Sequence, residues 1–155
     1  MRSIDDWLAA YGASHQDPVN KRIHWICVPA IVFSLIGLLW AVPVPDAFGD
    51  ISPALNWAVL FTMAAVVYYF VMSVPLALGA TLVLVLLLLL AAGLDNLATP
   101  LWAVSLVVFV VAWIGQFIGH RIEGKKPSFF EDLQFLMIGP LWLLAAAYRR
   151  AGIPY

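Results

Sequence analysis

Charge leaves this chain for long stretches and returns only in short polar islands. Residues 23–45, 51–94, 101–118 and 135–148 contain no Asp, Glu, Lys or Arg. The islands between them carry the helix starts. Ser3 precedes Asp5 and Asp6, an N-cap with acids in the first turn, where the helix dipole favours them. Trp7, Leu8 and Tyr11 share one side of the helix that follows. Residues 3–13 therefore read as an amphipathic helix, ended by Gly12, lying on a membrane surface or over a site. Asp17-Pro18 starts a second helix, with Asp17 as cap and Pro18 at the first helical position. It runs straight into the stretch 23–45, whose 23 residues would extend about 34 Å as a helix, enough for a hydrocarbon core of about 30 Å. Pro29 predicts a kink, and Pro43, Pro45 and Asp46 mark the exit.

The 44 residues from Ile51 to Leu94 are too many for one helix and suit two, 54–72 and 76–94, broken near Ser73-Val74-Pro75 or Gly79. Residues 101–118 supply a fourth span. The last run, 135–148, is short and holds Gly139-Pro140, which predicts a re-entrant hairpin or a short fifth helix. The fold class is therefore all-α. It is a polytopic membrane helical bundle of four transmembrane helices, with an N-terminal amphipathic helix and a short C-terminal re-entrant or fifth helix. Residues 1–155 form one integral membrane domain.

Composition strengthens this picture. Hydrophobic residues make up 64% and charged ones 11%, against roughly 25% charged in a soluble domain. So few charges cannot clothe a soluble protein of this size, and lipid is the expected solvent. A net charge of −1 gives no basic field for nucleic acid. Cys27 is alone, which excludes an intramolecular disulfide and a cysteine-based metal site. The N-terminus lacks a basic region followed by an apolar core, so no cleaved signal peptide is expected. Arg2, Lys21 and Arg22 precede the first span, Arg121, Lys125 and Lys126 follow the fourth, and the three intervening connections hold no Lys or Arg. Four crossings place both basic groups on one side, which the positive-inside rule makes cytoplasmic. Arg149 and Arg150 fit that side if the last run turns back. A bacterial inner membrane is the favoured location, with the endoplasmic reticulum the eukaryotic equivalent.

The same count decides whether the chain's three histidines meet. His15 and His24 lie before or just inside the first span, and His120 just beyond the fourth. An even number of crossings brings them together; three or five would part them. Asn20 and His24 are four residues apart, hence on one helix face, as are Gln116 and His120, with Glu123 about one turn further. Imidazole nitrogen suits iron, zinc or copper. A three-His or 2-His-1-carboxylate set with open positions suits non-haem Fe(II), whereas calcium and magnesium want more oxygen ligands. Plainer readings stand beside this one: interfacial histidines, Glu123 as surface charge, and tryptophans as packing aromatics. Gln116, one turn inside the membrane, is costly unless bonded, which suggests that it supports a neighbour. Lys21, Arg22 and Arg121 are topology determinants that could also receive a substrate carboxylate. There is no G-x-S-x-G, no H-E-x-x-H and no Gly-rich phosphate loop. Three functions fit these residues: a metal-dependent membrane enzyme, a haem-binding electron carrier with paired histidines, and a non-enzymatic lipid-binding protein.

Two separated motifs narrow the choice. The first is Tyr11, His15, Pro18-Val19-Asn20, His24 and Val28-Pro29. The second is Trp113-Ile114-Gly115-Gln116-Phe117-Ile118-Gly119-His120, then Glu123-Gly124-Lys125-Lys126-Pro127, then Gly139-Pro140. In this order they resemble the small multi-pass membrane family of the yeast 2-hydroxy fatty acid dioxygenase of phytosphingosine breakdown. Ser128 departs from the alanine expected after the proline. The resemblance implies Fe(II)-dependent α-oxidation, R-CH(OH)-COOH + O2 → R-COOH + CO2 + H2O, in which the 2-hydroxy fatty acid supplies all four electrons. It implies His15, His24 and His120 as catalytic iron ligands and Glu123 as a fourth ligand or a supporting group. Asn20, Gln116, Lys21, Arg22 and Arg121 would support the ligands or bind substrate. The expected partners are the 2-hydroxy fatty acid, O2 and the bilayer, with homo-oligomerisation left open. A site at the bilayer surface lets the headgroup meet metal while each tail CH2 avoids about 0.8 kcal/mol of exposure to water.

Overall fold

The structure, a computed structural model, describes residues 2–127 and 134–155; Ser128 lies outside them. Among these residues the chain is wholly helical, with α1 (Ile4–Gly12), α2 (Pro18–Trp40), α3 (Asp46–Ile51), α4 (Trp57–Met72), α5 (Val74–Asp95), α6 (Leu101–Glu123) and α7 (Phe135–Ala151). The expected caps form. Ser3 and Asp6 exchange a capping box, with bonds of 2.9 and 3.1 Å. The Asp17 carboxylate accepts from the amides of Val19 and Asn20 at the start of α2. Ser73 ends α4 and caps α5, so the long apolar stretch divides where its proline suggested.

The bundle is apolar inside and out. Ile36, Leu76, Ile138 and Leu141 are fully buried, while Val67, Leu82, Leu89, Val107 and Val111 stand exposed on α4, α5 and α6. Helices apolar on every side belong in lipid. By length and composition α2, α5 and α6 can each cross a membrane. Helix α4 is equally apolar, but its 16 residues extend only about 24 Å, against a core of about 30 Å.

Helices α2 and α6 pack closely and antiparallel. Small residues make the approach, as in membrane helix pairs generally. Gly37 sits against Ser105, Gly115 against Cys27 with a notional Cβ only 2.6 Å from its Sγ, and Gly119 against Asn20. Pairing residue 37 with 105 and residue 20 with 119 brings the start of α2 to the end of α6. The opposite ends of α2 and α5 meet through Trp40 Nε1, which donates to Asp95 at 3.1 Å. Helix α7 returns to the end holding the histidines, where the Tyr148 hydroxyl donates to the carbonyl of Pro75 at 3.1 Å.

Several boundaries differ from expectation, α5 by one or two residues at each end. Helix α2 stops at Trp40 rather than residue 45, because Pro43 and Pro45 cannot continue it, and the short α3 follows. Helix α4 starts at Trp57, capped by Asn56, three residues later than residue 54. Helix α6 runs past residue 118 to Glu123 and ends on Gly124 in the left-handed conformation (φ 73°), so His120 stays helical. Helix α7 is continuous through Gly139-Pro140, not a hairpin. The buried face of Ile138, Gly139, Leu141, Trp142 and Leu143 packs well enough to offset one missing backbone bond.

A candidate metal centre of three histidines

His15 follows α1 in the loop before α2, His24 lies in the second turn of α2, and His120 in the last turn of α6. The antiparallel α2–α6 pair converts these distant positions into one buried cluster. One ring nitrogen from each lies within 4.8 Å of the others. Ring centroids are 4.3 Å apart for His15 and His24, 4.9 Å for His15 and His120, and 5.0 Å for His24 and His120. The three planes are mutually near perpendicular, at 81°, 74° and 88°. The sequence expectation that these histidines meet at one end of the bundle therefore holds in the structure.

Their hydrogen bonds specify what the cluster offers. His15 Nδ1 lies 2.6 Å from the carbonyl of Tyr11, and His24 Nδ1 lies 2.9 Å from the carbonyl of Asn20. A carbonyl only accepts, so both Nδ1 atoms carry the proton and both Nε2 atoms keep a lone pair. Those two Nε2 atoms face each other at 2.9 Å. Two lone pairs at that distance repel unless a cation lies between them. His120 adds a buried Nδ1 with no hydrogen-bond partner among the described residues. Buried imidazoles whose other nitrogen donates to a carbonyl are the usual arrangement of metal-binding histidine. The donor set thus fits a divalent transition metal, and neutral nitrogen donors with no thiolate accommodate Fe(II).

The surroundings keep His15 uncharged. Burial, reinforced by the nearby His24, pushes His15 down from 6.5 to about 3. His15 is therefore neutral near pH 7, with its lone pair free for a cation. Tyr11 stacks on His15 at 4.2 Å with an 11° tilt, and Trp142 packs against the same ring at 5.4 Å. Burial pushes the Tyr11 phenol up from its ordinary value, so it stays protonated and serves as a wall rather than a base.

Glu123 takes a different part from the histidines. Its carboxylate accepts from the amides of Gln16 and Asp17, both at 2.8 Å, and from Asn20 Nδ2 at 3.1 Å. It thereby pins the His15 loop and the first turn of α2 to the end of α6. Lys125 helps, its Nζ donating to the carbonyl of Ala13 at 2.7 Å. Asn20 is fully buried, one face of its amide bonded to Glu123 while its Oδ1 abuts Gly119.

A cavity of about 60 Å³ opens beside the cluster. His24, Gln116 and His120 form its polar end, and Val28, Ile31, Val32 and Trp113 continue it between α2 and α6. Phe135, Leu136 and Pro140 of α7 close it, with Tyr11 and Pro127. His15, Asn20, Lys21, Arg22 and Arg121 do not line it. Arg22 and Arg121 are exposed and Lys21 is half-exposed. Helix α1 lies over the site, one of the two placements expected of residues 3–13, whereas the wall from α7 and the role of Lys125 were not foreseen from sequence. Tyr11, one helical turn before His15, is the one feature that could have signalled the wall.

Fold and site together define a class: apolar helical-bundle proteins of membrane type with a buried tri-histidine centre at one end. A family model described as "2-hydroxy-palmitic acid dioxygenase Mpo1-like" matches residues 1–151, and the chain belongs to that family. The 2-hydroxy-palmitic acid dioxygenase MPO1 of Saccharomyces cerevisiae is 32% identical over 139 residues, covering 88% of this chain and 75% of the yeast protein. No solved structure matches.

Proposed function

We propose that this protein is an Fe(II)-dependent dioxygenase that shortens 2-hydroxy fatty acids by one carbon at the cytoplasmic face of a membrane. The yeast relative is named for action on 2-hydroxy-palmitic acid. The observation that carries the reading here is the pair of unprotonated Nε2 atoms converging at 2.9 Å, with a ring nitrogen of His120 within 4.8 Å. His15, His24 and His120 would hold the metal. Fe(II), when bound, supplies a chelating centre for a 2-hydroxycarboxylate and redox access to O2.

The chain's own residues do the rest. His24 and His120 face the cavity while His15 sits behind them, so substrate approaches from the side of Gln116. The Gln116 amide, 6% exposed and lining the cavity, would donate a hydrogen bond to the substrate's carboxylate or hydroxyl. Val28, Ile31, Trp113 and Phe135 keep water from the reacting end. Lys21, Arg22 and Arg121 contribute positive charge at the surface, where anionic headgroups gather. A haem reading is not favoured, because the imidazoles converge on one point instead of flanking a plane.

The test is elemental analysis of the purified protein with O2 uptake on 2-hydroxypalmitate. About one iron per chain and uptake lost in His120→Ala are expected. Folded, metal-free protein with full activity would sink the proposal.

A further inference from the structure

A second cavity, of about 180 Å³, lies among α2, α4, α5 and α7. Its walls are almost wholly apolar: Pro29 of α2, Ala80, Leu84 and Leu87 of α5, and Leu143 and Ala147 of α7. Val28, Val32 and Pro140 line this chamber and the histidine cavity alike, so they form the partition between them. The two spaces in series have the polarity of a single amphiphile, with imidazoles and an amide at one end and hydrocarbon at the other.

We propose that the chamber is the acyl-chain subsite, resting on the dioxygenase reading above, and that its depth sets the preferred chain length. Two observations make the occupant the substrate's own tail. The shared partition places the chamber next to the cavity where the carboxyl end is held. The room also comes from particular residues of this sequence. Pro29 and Pro140 lack the N–H that would close the helical ladder at residues 25 and 136, and both face the cavities they help to open. Ala80 and Ala147 place methyl groups on the chamber wall where larger side chains would reduce its volume.

Filling the chamber at Ala80→Phe tests this. For 2-hydroxypalmitate, kcat/KM should fall about tenfold or more relative to 2-hydroxyoctanoate, the equivalent of expelling roughly two methylenes from apolar contact. Leu84→Ala, which enlarges the space, should shift preference toward chains longer than palmitate, and serves if the phenylalanine variant does not fold. Equal proportional losses for short and long chains would overturn the subsite. A binding readout needs no turnover: a 2-hydroxy acid with a diazirine at its chain end should crosslink to α5 and α7, and excess 2-hydroxypalmitate should suppress it. Crosslinks confined to outward positions such as Leu86 and Val107 would show a bilayer tail instead, and overturn the proposal. Wild-type protein that consumes no O2 with either chain length refutes the dioxygenase reading, while crosslinking still decides the chamber.

Discussion

Glu123 shows how much a single side chain can organise. Three N–H donors converge on its carboxylate, two of them from the backbone just before α2. Hydrogen bonds to a charged group are worth about 1.5–3 kcal/mol when buried, and less here because the site is partly wet. Glu123→Gln keeps the shape but replaces one acceptor oxygen with an NH2 that repels the amides. It should therefore leave iron stoichiometry at saturation unchanged while weakening iron affinity about tenfold, about 1.4 kcal/mol. Titration with Fe(II) under anaerobic conditions checks this, with X-ray absorption at the iron edge reporting the ligands. A lost oxygen ligand in the variant's spectrum would make Glu123 a direct ligand instead. The site was partly legible at this scale. The i,i+4 pairs Asn20/His24 and Gln116/His120 follow from helical periodicity alone. The partners of Glu123 lie more than a hundred residues away in sequence, and only the α2–α6 docking brings them together.

Helix pairing depends on where glycine is needed for contact. Glycine in a helix interior costs about 0.5–1 kcal/mol relative to alanine, so a position with open space gains from the exchange and a packed one loses. A Cβ on Gly93 of α5 would meet nothing within 4 Å, whereas one on Gly37 would collide with Ser105 and crowd Leu101 Cδ1 at 3.4 Å. Gly93→Ala should raise the unfolding midpoint in detergent by a few degrees, consistent with about 0.5–1 kcal/mol. Gly37→Ala should lower stability by about 1–3 kcal/mol through overpacking at the α2–α6 seam. Two shifts of the same sign would refute the seam. Sequence gave no means of ranking these glycines, since both lie in uncharged runs with similar neighbours. Helix starts were legible because a cap is a local bond, as at Ser3 and Asp17. The end of α2 and the continuity of α7 were less so. There proline competes with packing, and packing is invisible until the elements meet.

Across the whole molecule, charge and histidines obey one geometry. The polar connections at the end opposite the histidines contain Asp46, Asp50 and Asp95 and no Lys or Arg. The histidine end gathers Lys21, Arg22, Arg121 and Lys125, and Arg150 lies there too, its guanidinium 5.3 Å from the centre of the Trp25 ring. This asymmetry is what the positive-inside rule requires of a bundle with an even number of crossings between His24 and His120. The difficulty is α4, which is short for a crossing by about 6 Å at 1.5 Å per residue, a mismatch that bilayer thinning can absorb at modest cost. If α4 crosses, Asp50 before it and Val74 after it, both exposed, lie on opposite sides of the membrane. Cys27 is buried, so the native thiol gives little background to chemical labelling. In right-side-out vesicles a membrane-impermeant maleimide should label Asp50→Cys directly and Val74→Cys only after permeabilisation. Labelling of both positions from outside would place α4 on one face of the bilayer. That result would leave three crossings between His24 and His120 and part the histidines, so it would overturn the cluster together with the cytoplasmic assignment. The α2–α6 pair assembles the histidine cluster, but the parity of crossings that lets the pair do so rests on the short α4.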